Sequence, residues 1–284
     1  MKKILPLAMI TSLATLLGWS VPAPAGSTPA TAGLQLWSLR DELKKDVPAA
    51  LKFAASLGIK AVETAGTYGL SPEKYRQAIE AAGLKAISGH FGFDAWAKDP
   101  AAVAAEAKAL GLHYAGVAWI PHKAPFTPAD VQRAAEVFNR AGAACAQAGI
   151  QFFYHIHGYE FQPQGDATLM DALIRACDPQ KVSFQMDTTW VFFPGQDPAA
   201  WLRKYPGRWS SLHLKDLKKG VARGSLAGKT DKENDVPLGQ GQLDWPGIFK
   251  AAREVGVKFY IIEDEAPTVA QQLPQTLQYL QQFR

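Results

Sequence analysis

The chain has 284 residues, with 30 Lys and Arg against 26 Asp and Glu, for a formal charge of +4. That surplus is too small, and its residues too scattered, to point to a nucleic-acid partner. Only Cys145 and Cys177 are present, so a disulfide scaffold or thiolate metal cluster is excluded, and both sit in helical patterns that predict buried free thiols.

The N-terminal segment reads as a cleavable export signal. Lys2 and Lys3 precede an apolar run over residues 4–19, and residues 20–25 end in an Ala-x-Ala pattern before Gly26. A membrane anchor is the alternative, but the run is shorter than the roughly 20 apolar residues a spanning helix needs, and Pro6 interrupts it. The expectation is a periplasmic or secreted protein without a membrane anchor once residues 1–25 are removed. About 259 residues and a charge of roughly +2 then remain, a size that suits one α/β barrel. Residues 26–33 read as a flexible tether.

From residue 34, short β-rich runs alternate with amphipathic helical runs eight times. The strands expected are 34–39, 61–65, 85–91, 114–119, 151–157, 182–188, 210–215 and 259–263. The helices expected are 47–57, 72–82, 101–110, 128–148, 167–177, 198–205, 245–255 and 269–283. Gly58, Gly83, Gly111, Gly149 and Gly256 each follow a helix, while Ser71-Pro72 and Thr127-Pro128 place a capping hydroxyl before a first-turn proline. Eight such units over residues 34–284 predict a single (β/α)8 TIM barrel. An open doubly wound sheet would usually carry a glycine-rich phosphate loop after its first strand, where Arg40-Asp41-Glu42 stands instead. A long Lys-, Gly- and Asp-rich connection, residues 216–243, follows the seventh strand and reads equally as a solvated insertion or a substrate lid.

The chemistry concentrates on the last four strands. Residues two apart on a strand share a face, which pairs His155 with His157, Asp187 with Thr189, His213 with Lys215 and Glu263 with Glu265. Barrel active sites are built at these C-terminal strand ends. One strand-end histidine is usually structural, but four consecutive strands delivering ionisable groups predict a site. His155, Asp187, His213 and Glu263 form a nitrogen and oxygen donor set suited to one Mn²⁺, Co²⁺, Mg²⁺, Zn²⁺ or Fe²⁺ ion. The competing reading is a metal-free ion-pair network in which Lys215 neutralises the carboxylates. Glu63 and Glu160 are candidate general bases, and His90 is either a ligand or a core histidine. Trp37, Trp119 and Trp190 are placed to stack on a sugar ring.

Taken together, these motifs make the chain resemble the xylose-isomerase-like barrels that include sugar phosphate isomerases and epimerases. The resemblance rests on Trp37-Ser38-Leu39-Arg40, Val62-Glu63-Thr64-Ala65-Gly66, Tyr154-His155-Ile156-His157, Met186-Asp187-Thr188-Thr189, His213-Leu214-Lys215-Asp216 and Ile262-Glu263-Asp264-Glu265. It implies a metal held by Glu, Asp, His and a second Glu, with Asp187, His213 and Glu263 at three of these positions. His155 departs from the pattern by standing where a glutamate is usual. The form Tyr-His-x-His is similar to the branch with inosose dehydratases and eliminases of 3-keto-glycosides.

The main expectation is therefore a metal-dependent isomerase or epimerase that removes a proton beside a carbonyl of an unphosphorylated sugar or glycoside, with Glu263, His157 and Lys215 near the reacting carbons. The alternative is a lyase on the same scaffold. A metal-dependent endonuclease fits neither the weak basicity nor the small number of ligands, and a carbohydrate-binding protein is the non-enzyme reading. Exported protein is expected to begin at Gly26. N-terminal sequencing of material from the periplasm or medium checks this, and retention of residues 1–25 would contradict it.

Overall fold

The computed structural model describes residues 28–284, so the expected export signal lies outside the described residues. Eight parallel strands close into one barrel: β1 (Gly33–Gln35), β2 (Ala61–Ala65), β3 (Lys85–His90), β4 (Tyr114–Val117), β5 (Gln151–His155), β6 (Val182–Asp187), β7 (Trp209–Leu214) and β8 (Phe259–Ile262). Each lies beside its sequence neighbours, and β8 returns to β1 through Gly33 opposite Ile261. The main helices are α1 (Val47–Ser56), α2 (Pro72–Ala81), α3 (Pro100–Ala109), α4 (Pro128–Ala148), α5 (Leu169–Ala176), α6 (Pro198–Lys204), α7 (Trp245–Glu254) and α8 (Val269–Leu280). This is the expected (β/α)8 barrel, not the open sheet.

Local signals set the helix boundaries. Thr127 and Asp130 form a capping box at the start of α4, and Gly149 ends it in the left-handed region at φ 76°. Thr168 and Asp171 do the same for α5, which begins at Leu169 because Ala167–Thr168 pairs instead with Pro163–Gln164 in a small antiparallel ladder.

The expected strands ran too far at their C-terminal ends. Residues 36–39 coil into a 3-10 turn capped by Gln35, whose side chain accepts from Trp37 N. Strand β5 stops at His155, and β6 stops at Asp187, whose carboxylate caps the short helix Thr188–Phe192. Face alternation therefore does not hold beyond these points. Thr189 turns away from Asp187 and donates to Lys215 O at 2.6 Å. The expected tether is also corrected over its described part: Pro29–Thr31 forms a 3-10 turn, Pro29 and Ala32 are buried, and Gly33 opens β1.

Two apolar layers hold the barrel. The larger lies between strands and helices and takes in Cys145 and Cys177, both free and buried as expected. The smaller comprises Ile87, Tyr114, Phe153, Phe259 and Ile261. It fills the barrel interior from the N-terminal side, so polar side chains can occupy the interior only toward the opposite mouth. Gly116 on β4 makes room for this plug, because a Cβ there would stand 2.7 Å from the Phe153 ring. Gly116→Ala is expected to cost about 1–3 kcal/mol through overpacking, read as a lowered thermal midpoint; an unchanged midpoint would show that the plug can shift.

Candidate metal centre

The closed barrel brings His155, Asp187, His213 and Glu263 together at its C-terminal mouth. Each offers one ligand atom, all within 4.8 Å of one another, and all four side chains are buried. His155 and Asp187 end β5 and β6, His213 lies one residue before the end of β7, and Glu263 directly follows β8. The four residues expected as ligands on chemical grounds thus form one group.

Its hydrogen bonds test whether an ion fits. Asp187 Oδ1 accepts from Trp190 N at 3.0 Å, but its buried Oδ2 has no partner. Burial pushes the Asp187 carboxyl up to about 7. Lys215, the neutralising group of the metal-free reading, is committed elsewhere. Its Nζ donates to Glu265 Oε1 at 2.8 Å and pairs with Asp235 Oδ2 at 3.3 Å. An orphaned carboxylate oxygen inside a four-donor imidazole and carboxylate cluster is what a divalent cation would satisfy, so these residues fit one.

A second polar layer lies between the cluster and the apolar plug. Glu63 is fully buried and accepts from Gln35 Nε2 (2.7 Å), Ser88 Oγ (2.6 Å) and Gln185 Nε2 (2.9 Å). It also meets His213 Nε2 at 2.5 Å and His90 Nε2 at 3.1 Å. His213 Nδ1 lies 2.8 Å from Glu263 Oε2. Burial alone would favour a neutral His213, but the charge of Glu63 and hydrogen bonds to Glu263 and Glu63 raise it to about 10. Burial likewise opposes ionisation of Glu63, yet His90 and His213 hold it well below the usual carboxylate range.

Above the cluster opens a cavity of about 800 Å³. His90, His155, His157, Lys215, Glu263, Trp37, Trp119 and Trp190 all line it, as expected. Burial lowers His157 to about 4, so it is neutral, and its Nδ1 has no partner. For Lys215, burial is outweighed by Asp235, Glu263 and Glu265, which hold it cationic. Trp37 is fixed by donating to Glu265 Oε2 at 3.1 Å, and Trp119 by packing on His122 and Tyr159.

Two expected acid–base candidates do not reach this cavity. Glu63 sits beneath the cluster, and its carboxylate is saturated by donors. Glu160 points into the wall, accepting from the Tyr154 hydroxyl and from His157 N at 3.0 Å. The turn after β5 redirects it, because Gly158, at φ 88°, starts the 3-10 segment Tyr159–Phe161. Sequence reasoning missed Gln35 and Gln185. For Gln185 the available signal was its place two positions before Asp187, on the same face of the run 182–187.

The long connection after β7 is lid-like in placement. Residues 228–232 and Asp235 line the cavity, and Asp235 pairs with Lys215. Its base is tied to Asp216, whose carboxylate accepts from Gly239 N, Gly241 N, Leu243 N and Trp245 Nε1 at 2.8–3.2 Å. Gly241 approaches that carboxylate too closely to leave room for any Cβ.

Over residues 51–283 the chain matches the xylose isomerase-like TIM barrel family and belongs to it. It is 31% identical over 150 residues to an inosose dehydratase from Lacticaseibacillus casei, a match covering 50% of this chain and 48% of that protein. The alignment therefore spans about half the length of that curated relative. A sugar phosphate isomerase/epimerase from Parabacteroides distasonis superposes with TM-score 0.73 at 26% identity, over 91% of this chain and 96% of that one. The IolI protein, whose crystal structure has a bound zinc atom, shares the fold at TM-score 0.67 and 12% identity, over 88% and 96% of the two chains.

Asp187→Asn is expected to abolish uptake of one divalent ion per chain, measured by elemental analysis after loading. The metal-free midpoint should stay the same or rise, since a buried unpaired carboxylate is removed. Wild-type protein should gain about 2.7 kcal/mol with metal at about 100 times Kd. A strongly lowered midpoint for the unloaded variant would favour the ion-pair network.

Proposed function

We propose that this protein is a divalent-metal-dependent carbon–oxygen lyase acting on a polyhydroxylated ketone, either a cyclic keto-polyol or a keto-glycoside. One observation carries the choice of elimination over epimerisation. The position where a second glutamate would act as base is His155, whose Nδ1 is engaged by Gln185 Oε1 at 2.8 Å. With its other nitrogen given to the metal, that ring has no lone pair left to accept a proton. The inosose dehydratases to which the chain is similar support the same reading.

A bound divalent ion would polarise the ketone and stabilise charge on its oxygen. The protein's own residues supply the rest. Neutral His157, whose ring lines the cavity, takes the proton from the carbon beside the carbonyl. As the carbon–carbon double bond forms, the bond to the β-oxygen breaks, and the imidazolium on His157 returns its proton to the departing oxygen. Lys215 stays cationic and offsets negative charge developing on that oxygen. Trp37, Trp119 and Trp190 offer flat apolar faces for ring C–H groups. Five carboxylates against three lysines on the cavity wall disfavour a phosphorylated substrate.

Metal-loaded protein incubated with an inosose or a 3-keto-glycoside in D2O should release water or aglycone and produce an unsaturated ketone, followed by proton NMR. His157→Ala should lower kcat by about 10²-fold or more while metal uptake is retained. Deuterium incorporation with an inverted centre and no elimination would overturn the lyase reading and restore the epimerase.

A further inference from the structure

The layer beneath the metal cluster determines which nitrogen each histidine can offer. A carboxylate only accepts hydrogen bonds, so whatever faces Glu63 must donate. His213 Nε2, at 2.5 Å from Glu63 Oε1, therefore keeps its hydrogen, whereas the hydrogen on Nδ1, which faces Glu263 Oε2 at 2.8 Å, is the one an ion would displace, so the lone pair available to an ion is on Nδ1. Gln185 faces Glu63 Oε2 at 2.9 Å, which orients its NH2 group toward Glu63 and Ser211 Oγ. Its carbonyl oxygen is thereby turned to His155 Nδ1 at 2.8 Å and His90 Nε2 at 3.0 Å. Because that oxygen only accepts, His155 carries its hydrogen on Nδ1 and keeps its lone pair on Nε2.

We infer that Glu63 is a positioning residue of the metal centre, fixing opposite tautomers on its two histidines, directly on His213 and through the Gln185 amide on His155. His213 then binds through Nδ1 and His155 through Nε2. Gln35 and Ser88 also donate to the Glu63 carboxylate, Gln35 to Oε1 and Ser88 to Oε2. The inference rests on the metal reading above and adds to it a residue that touches neither ion nor substrate.

The test uses Co²⁺ binding by calorimetry and nitrogen-15 NMR of histidine-labelled, Zn²⁺-loaded protein. Glu63→Gln should weaken Co²⁺ binding by about 10- to 100-fold, the range seen when a partner behind a ligand is lost. Ser88→Ala is the comparison: it removes one hydrogen bond from the same carboxylate but leaves both histidine partners, and it should weaken Co²⁺ binding less than Glu63→Gln does. If Glu63→Gln does not fold, Gln185→Met carries the test, since it removes the partner of His155 Nδ1 while leaving the contact of Glu63 with His213, and it should also weaken binding. In Zn²⁺-loaded wild type, one ring should carry hydrogen on Nε2 and the other on Nδ1. The Nε2 proton should lie far downfield, and Glu63→Gln should move it upfield. Equal Co²⁺ affinity in wild type and Glu63→Gln, affinity losses in Ser88→Ala that match those of Glu63→Gln, or both rings bound through the same nitrogen would each overturn the inference. Failure of wild type to take up Co²⁺ would instead remove the metal reading itself.

Discussion

Three carboxylates, Glu63, Asp187 and Glu263, are taken out of water inside one barrel mouth, and the surrounding structure answers that constraint. Burying a carboxylate is costly unless donors or opposite charge meet it. Glu63 receives donors from two neighbouring strands and from two across the barrel. Glu263 meets His213 and lies in the field of Lys215, which together overcome burial and keep it ionised. Asp187 alone keeps an oxygen with no partner. The uneven distribution matters more than the total charge, because among these three carboxylates it leaves one oxygen whose bonding a cation would complete.

The layering of the interior follows from the same constraint. An apolar plug fills the N-terminal half, beneath the polar layer. Glu63, Gln35, Ser88, Gln185 and Ser211 then form a closed hydrogen-bonded sheet of side chains, on which the ligands rest. The cluster faces a cavity walled by three tryptophans and by the long connection after β7. Catalytic groups in this arrangement divide by environment. His157 is neutral because it is buried among aromatic rings, and Lys215 is cationic because acids that follow β8 and Asp235 of the long connection surround it. Two groups with opposite protonation thus stand on one wall beside the metal cluster, the pairing that acid–base work at neutral pH requires.

Replacing a carboxylate ligand by His155 changes what the site can do more than how well it can hold an ion. Imidazole and carboxylate both suit a borderline divalent metal. A glutamate ligand keeps a second oxygen with which to move a proton, whereas a histidine whose far nitrogen already donates has nothing left. On the proposed lyase reading, the family's scaffold is retained while the His155 position no longer moves a proton.

Much of this was legible before any coordinates. Amphipathic periodicity, helix-ending glycines and capping hydroxyls located the eight strand–helix units. The rule that barrel sites lie at C-terminal strand ends singled out His155, Asp187, His213 and Glu263 without reference to their contacts. Those features are local or topological, so they are written in residue spacing. The strand ends themselves were misjudged, because side chains such as Gln35 and Asp187 stop the sheet by capping the turn that follows, a hydrogen bond that propensity does not register. Glu63 and Glu160 looked alike as acids near strand ends. Only tertiary structure separated them, turning one under the metal cluster and the other into the wall, because the direction of a side chain past a strand end depends on backbone turns and on partners more than a hundred residues away. The tautomers of the two histidine ligands are decided at the same level, since they follow from which atom of Gln185 faces Glu63 across 122 positions of sequence.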